Sequence, residues 1–128
     1  MEAVTLVWPG GEHRFALRIG ELRALQEARD AGPEEILGRI RSGTWRIDDL
    51  TQTIRYGLVG GEGMDSAKAA QLITSIIDFH PLAQFRLTAM TILLRAMLGP
   101  GDDEVGKPEG AASPRKSGSS PPSTETAQ

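Results

Sequence analysis

Between Asp48 and Gly63 the chain reads DDLTQTIRYGLVGGEG, a helical pattern running into four glycines within seven positions (Gly57, Gly60, Gly61 and Gly63). Leu50, Ile54 and Leu58 recur every fourth residue, the spacing of one helix face. Asp48 is placed to accept from the open N–H groups at the helix start. The glycines after it predict a loop, with Gly60 in the left-handed conformation that closes a helix, since it has no Cβ to clash. The segment carries no nucleophile and no metal-ligand set. It invests in shape, and this favours a small assembly or interaction domain over an enzyme.

The apolar residues bound where such a domain can lie. Val, Ile, Leu, Met, Phe, Trp and Tyr together number 35 in residues 1–98 and one, Val105, in residues 99–128. The last 30 residues instead hold five each of Gly, Pro and Ser. Such a composition cannot offset an ordering cost of roughly 1–2 kcal/mol per residue. The expected organisation is one α+β domain over residues 1–98 and a disordered Gly/Pro/Ser-rich tail over residues 99–128.

Within 1–98 an N-terminal β-hairpin is expected over residues 3–19, packed on about five short α-helices. Val4, Leu6 and Trp8 alternate on one strand, and Phe15, Leu17 and Ile19 on the other, with Arg14 and Arg18 facing outward. Pro9-Gly10-Gly11-Glu12 supplies the turn. A lone hairpin is marginal in water, so helices must cover its apolar face, while its open edges stay available for another chain. The first helix is expected from Glu21 to Ala31, with Leu22 and Leu25 inward and Gly32 as its cap. Pro33 opens the second, which buries Ile36, Leu37 and Ile40 and ends at Ser42-Gly43. The helix from Asp48 follows. A fourth, capped by Asp65, runs to Phe79 with Ala69, Leu72, Ile73 and Ile76 in phase. Pro81 opens a fifth, to Leu98. There Gln84, Thr88, Thr91 and Arg95 form a narrow polar stripe, and most of the remaining surface is apolar. A helix of that kind is central, buries a second face against a partner, or both. Arg86, opposite the stripe, is expected to face water or another protein.

Several function classes are disfavoured. The residues up to 98 carry 11 basic and 12 acidic side chains, so no one-sided positive field is available for nucleic acid. There is no cysteine, hence no disulfide and no thiolate metal site, as expected of a reducing cytoplasm. The start of the chain lacks a signal-peptide pattern, and no apolar run approaches the ~20 residues that span a bilayer. Arginine outnumbers lysine 11 to 3, the bias of a GC-rich bacterial genome. The glycine-rich segment follows a helix and is trailed by Met64-Asp65, unlike a phosphate cradle, which leads from a strand into a helix with Lys-Ser/Thr. Asp48-Asp49 reads as helix-cap chemistry, not a metal pair. His13 and His80 have no orienting partner in the sequence. No catalytic, cofactor or metal residue is assigned.

Several stretches together resemble the gene transfer agent family of small phage-type tail proteins, related to tail assembly chaperones. They are VTLVWPGGEHRFALRIGEL, LRALQEA, TWRIDDLTQTIRYGLVGGEG and LLRAML. The family's Arg-x-Gly-Leu-x-Gly-x-Gly-type segment is met by Arg55, Gly57, Leu58, Gly60 or Gly61, and Gly63. The resemblance covers residues 2–98; the tail departs from it. It implies a non-enzymatic, cytoplasmic protein of a prophage or gene transfer agent cluster. As a chaperone it would bind the tape measure protein and the tail tube protein, without cofactor, nucleic acid, membrane or small-molecule substrate, and the resemblance allows a homo-oligomer; the alternative is a structural tail component of the tube or terminator type. The expected docking elements are the Arg55–Gly63 segment (Arg55, Tyr56, Gly57, Leu58, Gly60, Gly61, Gly63) and the apolar last helix (Phe85, Arg86, Leu93, Met97).

Overall fold

A computed structural model describes residues 2–100. The disordered tail expected from residue 99 lies, from residue 101 onward, outside the described residues. Two antiparallel strands, β1 (Val4–Trp8) and β2 (Gly11–Phe15), are followed by α1 (Ile19–Arg29), α2 (Pro33–Ser42), α3 (Ile47–Glu62) and α4 (Ser66–Ile76). A 3₁₀ turn over Ile77–Phe79 then leads to α5 (Leu82–Leu98). This is the expected α+β arrangement, a hairpin on five helices.

The hairpin register pairs Val4 with Phe15, Leu6 with His13 and Trp8 with Gly11. Trp8 and Phe15 face inward and are buried, while Thr5, Val7, Glu12 and Arg14 face solvent. The turn is tighter than expected: Pro9 and Gly10 alone lie between the strands, and Gly11 belongs to β2 with φ 115°. The second strand also stops early. Leu17 stays buried, but pairing with β1 ends at Phe15, and the Ala16 N–H, on the side away from β1, donates to the Gly57 carbonyl at 3.1 Å. Ile19 is therefore the first residue of α1 and is exposed, not the inward strand residue its alternation suggested.

Two helices start with the same local device. In Arg18-Ile19-Gly20-Glu21 and in Arg46-Ile47-Asp48-Asp49 the fourth residue turns its carboxylate back onto the N–H of the first. The distances are 2.9 Å for Glu21 on Arg18 and 2.8 Å for Asp49 on Arg46. This is one half of a capping box, and it satisfies a donor the helix leaves open. The cap of α3 is thus Asp49, not Asp48. Asp65 caps α4 as expected, accepting from the Ala67 and Lys68 N–H groups. The α1 terminus differs from expectation too. Asp30 takes the left-handed position at φ 52°, and Gly32 is instead the extended residue before Pro33. Asp tolerates that conformation better than most residues do.

Around α3 the core closes. Leu50, Ile54 and Leu58 are fully buried, with Phe15, Leu25, Ile36, Ile40, Phe85, Ile92 and Leu93. Trp8 stands edge-on to Phe15 at 5.7 Å and to Phe85 at 6.3 Å, which joins the hairpin to α5. The indole N–H donates to His13 Nδ1 at 2.9 Å. The last helix is central: Phe85, Thr88, Ala89, Ile92 and Leu93 are buried along it. Thr88 was expected on a polar stripe, yet it lies inside, its hydroxyl donating to the Gln84 carbonyl at 3.0 Å. A threonine satisfied by its own helix can be buried without an open donor.

Candidate protein-interaction surface

The glycine-rich segment proves to be helix. Gly57, Gly60 and Gly61 lie inside α3, and the left-handed closing residue is Gly63, at φ 69°. The Gly63 and Met64 N–H groups turn back to the Val59 and Leu58 carbonyls, which ends the helix. The three inner glycines form the floor on which β2 lies. A Cβ on Gly57 would stand 3.1 Å from Phe15 Cδ1 and 3.3 Å from Ile92. On Gly60 it would overlap the Ala16 carbonyl, and on Gly61 the Arg14 carbonyl. Helical propensity disfavours glycine by roughly 0.8–1.0 kcal/mol each. Here that cost is offset by a strand seated directly on the helix backbone, closer than any side chain would permit.

Polar contacts fasten the same seam. The Arg14 N–H donates to Glu62 Oε2 at 2.7 Å, with the Arg14 guanidinium 3.7 Å from Oε1. The Arg18 guanidinium donates to the Gly60 carbonyl. The Arg14 N–H, chiefly, holds the Glu62 carboxyl below its ordinary range. At the other end of α3, Asp49 is fully buried. Its Oδ1 accepts from Arg29 Nε at 2.8 Å and Arg39 Nη1 at 3.1 Å, tying α1 and α2 to α3. Burial pushes this carboxyl up, but the Arg46 N–H, Arg29 and Arg39 together outweigh it and hold it below the ordinary carboxylate range.

Most of the expected docking residues are therefore spent within the chain. Arg55 donates to the Ser66 hydroxyl at 2.9 Å and to the Gln52 side chain at 3.3 Å, and its guanidinium lies over the Tyr56 ring. Gly57 and Leu58 are buried, Tyr56 is half-buried against the core, and Gly60 and Gly61 are covered in part by the hairpin. Gly63 is exposed, as a helix cap. Phe85 and Leu93 are fully buried and offer nothing to a partner. Arg86 was expected to face outward. Instead it donates to the Ile40 and Arg41 carbonyls at 3.0 and 3.3 Å, satisfying the open C-terminal end of α2.

Met97 is half-buried against the core, and its open side lines a surface groove. With Leu94 and Leu98 of α5 and Glu34, Leu37, Gly38 and Arg41 of α2 it lines an open groove of 350 Å³. Leu98 is 75% exposed there. Other outward apolar side chains are Val7, Ile19, Ile47, Phe79 and Leu87. Val7 was readable as the outward partner in the β1 alternation. Ile19 and Ile47 share the first helical position behind the Arg-Ile device, a signal visible only once both helix starts are placed. Among the described residues no group of three or more His, Cys, Asp or Glu is placed to hold a metal, and no helix is long and apolar enough to cross a membrane.

No curated protein and no solved structure matched the chain significantly. A family profile, described as "Phage tail tube protein, GTA-gp10", matches residues 2–99, essentially the whole described domain. That match spans well over half of the chain, and the protein therefore belongs to the phage tail tube protein, GTA-gp10 family of gene transfer agent and phage tail proteins.

Proposed function

We propose that the protein is a non-enzymatic structural component of a phage-type tail, of the tube or terminator type, made in the bacterial cytoplasm and built into the particle by protein–protein contacts. The family match over residues 2–99 carries this reading. The molecule supports it with a well-buried core and with apolar surface left outside that core. That surface comprises the outward strand β1 and the groove between α2 and α5. Exposed apolar surface flanked by charge, as at Leu98 between Glu34 and Arg41, is characteristic of contact sites. The partners are other tail proteins, with no nucleic acid, membrane or small molecule required. Quantitative mass spectrometry of purified particles tests the reading. A copy number stoichiometric with the tail is expected, and absence from mature particles overturns it.

One observation favours a second reading, a tail assembly chaperone that holds the tape measure protein. The described sheet has two strands, a narrow basis for the wall of a tube. That reading predicts co-purification with the tape measure protein and loss of tails on Met97→Asp or Leu98→Asp. Phe85→Asp or Leu93→Asp would unfold the domain and discriminate nothing. Normal tails from folded Met97→Asp and Leu98→Asp variants would remove the groove from either role.

A further inference from the structure

The two edges of the hairpin are treated differently. In an antiparallel pair each residue points its N–H and C=O to the same side, and neighbours point to opposite sides. On β2, Arg14 and Ala16 direct theirs away from β1, to Glu62 and to the Gly57 carbonyl. Val4, Leu6 and Trp8 therefore bond to Phe15, His13 and Gly11, and Thr5 and Val7 direct their backbone groups outward from β1. Among the described residues no hydrogen-bond partner meets them there, and Val7 is 82% exposed. The sheet is closed at β2 by α3 and open at β1.

Open edges are normally guarded by charge, proline or a bulge. The strand VTLVW has none of these. We propose that β1 is the contact strand of a homodimer, in which two copies pair antiparallel about a two-fold axis at Leu6. In that register Thr5 lies opposite Val7 of the second copy, and Val7 opposite its Thr5. Each pair exchanges both backbone bonds, so the outward N–H and C=O groups of both residues are satisfied. Leu6 meets its own counterpart on the inner face, where it is now only half-buried. Val4 falls opposite Trp8 on that same apolar face, and Val7 gains a neighbour on the outer face.

A second copy suits this edge because the strand is uncharged throughout, so pairing it with itself sets no like charges opposite one another. The charged residues of the hairpin, Glu12 and Arg14, lie on β2 and stay at the outer strands of the resulting four-stranded sheet. The gain is that of a hairpin completed into a wider sheet, and two strands alone are marginal. The contact is small compared with stable dimer interfaces of about 1,200–2,000 Å², so the dimer is concentration-dependent. This inference stands whether the protein is retained in the particle or acts only during assembly.

Sedimentation equilibrium of the full chain from micromolar to millimolar concentration tests it. A monomer–dimer equilibrium is expected, with association weakened at least about tenfold by Val7→Lys, which sets a charge beside the contact. Thr5→Pro, which removes an edge donor without touching the core, should act alike. Melting curves show that each variant is folded. Amide exchange in the unmodified chain gives a second readout: Thr5 and Val7 become protected as concentration rises. A monomer at millimolar concentration, a dimer insensitive to both variants, or protection that appears only with another tail protein overturns the proposal.

Discussion

At its N-terminal end α3 is secured by charge: the buried Asp49 carboxylate takes two guanidinium groups and a backbone N–H and so ties three helices together. At its C-terminal end the same helix is secured by contour. Gly57, Gly60 and Gly61 leave a floor so low that the β2 backbone rests on it, and the Glu62 carboxylate there is a surface clasp. The difference teaches where tolerance should lie. A charge lock fails when a partner is removed, and a contour lock fails when an atom is added. The first is sensitive to pH, and the second is not.

The largest effect is expected from adding atoms to the floor. Gly61→Val drives side-chain carbons into the Arg14 backbone, which cannot move without lifting the hairpin, and should cost about 3 kcal/mol or more. Urea unfolding measures it, and a variant as stable as the parent would break the contour half of the comparison. Asp49→Ala comes next. It removes the buried partner of Arg29 and Arg39, which are 14% and 19% exposed at their side chains and keep only the more exposed Asp48 and Glu35, for a loss of about 3 kcal/mol.

The pH dependence separates the two ends further. The folded-state pKa of Asp49 is lowered from its ordinary value, so the folded state binds its proton less readily than the unfolded chain. Its contribution is therefore fully present above the pKa of the unfolded chain and is lost as pH falls through the lower folded pKa. The acid limb of the stability curve should flatten in Asp49→Asn. An unchanged limb would show that the lock is not electrostatic.

Gly63→Ala, forced into a left-handed position, should cost about 1–2 kcal/mol in the same unfolding assay. Glu62→Gln should have the smallest effect, a shift in melting midpoint that disappears in high salt, as for other exposed ion pairs.

The helices were readable because each begins or ends with residues whose local chemistry is decisive. Pro33, Asp65 and Gly43 stand where propensity puts them, and the Leu50-Ile54-Leu58 stripe faces the core. The glycines of α3 were misread for a physical reason. Glycine signals a break when only the local chain is considered, and nothing near Gly60 in sequence announces that Arg14 and Ala16 will lie on it. Arg86 and Thr88 were misread on similar grounds, since helical periodicity takes a polar side chain to face water. Here one is satisfied by the end of α2 and the other by its own helix. The docking surface was the least readable part. Phe85 and Leu93 belong to the same apolar helix as Met97, and only packing distinguishes the covered side from the open one.

Local sequence was enough to decide most of the stretches that coil and the two that pair as a hairpin. Turn chemistry, caps and apolar spacing all act within a few residues. Which backbone lies on the glycine floor, which carboxylate is buried, and which strand edge stays open were settled by contacts between residues up to 48 positions apart, as for Arg14 and Glu62. Those contacts exist only after the helices have packed, because shape complementarity belongs to pairs of surfaces and not to either segment alone.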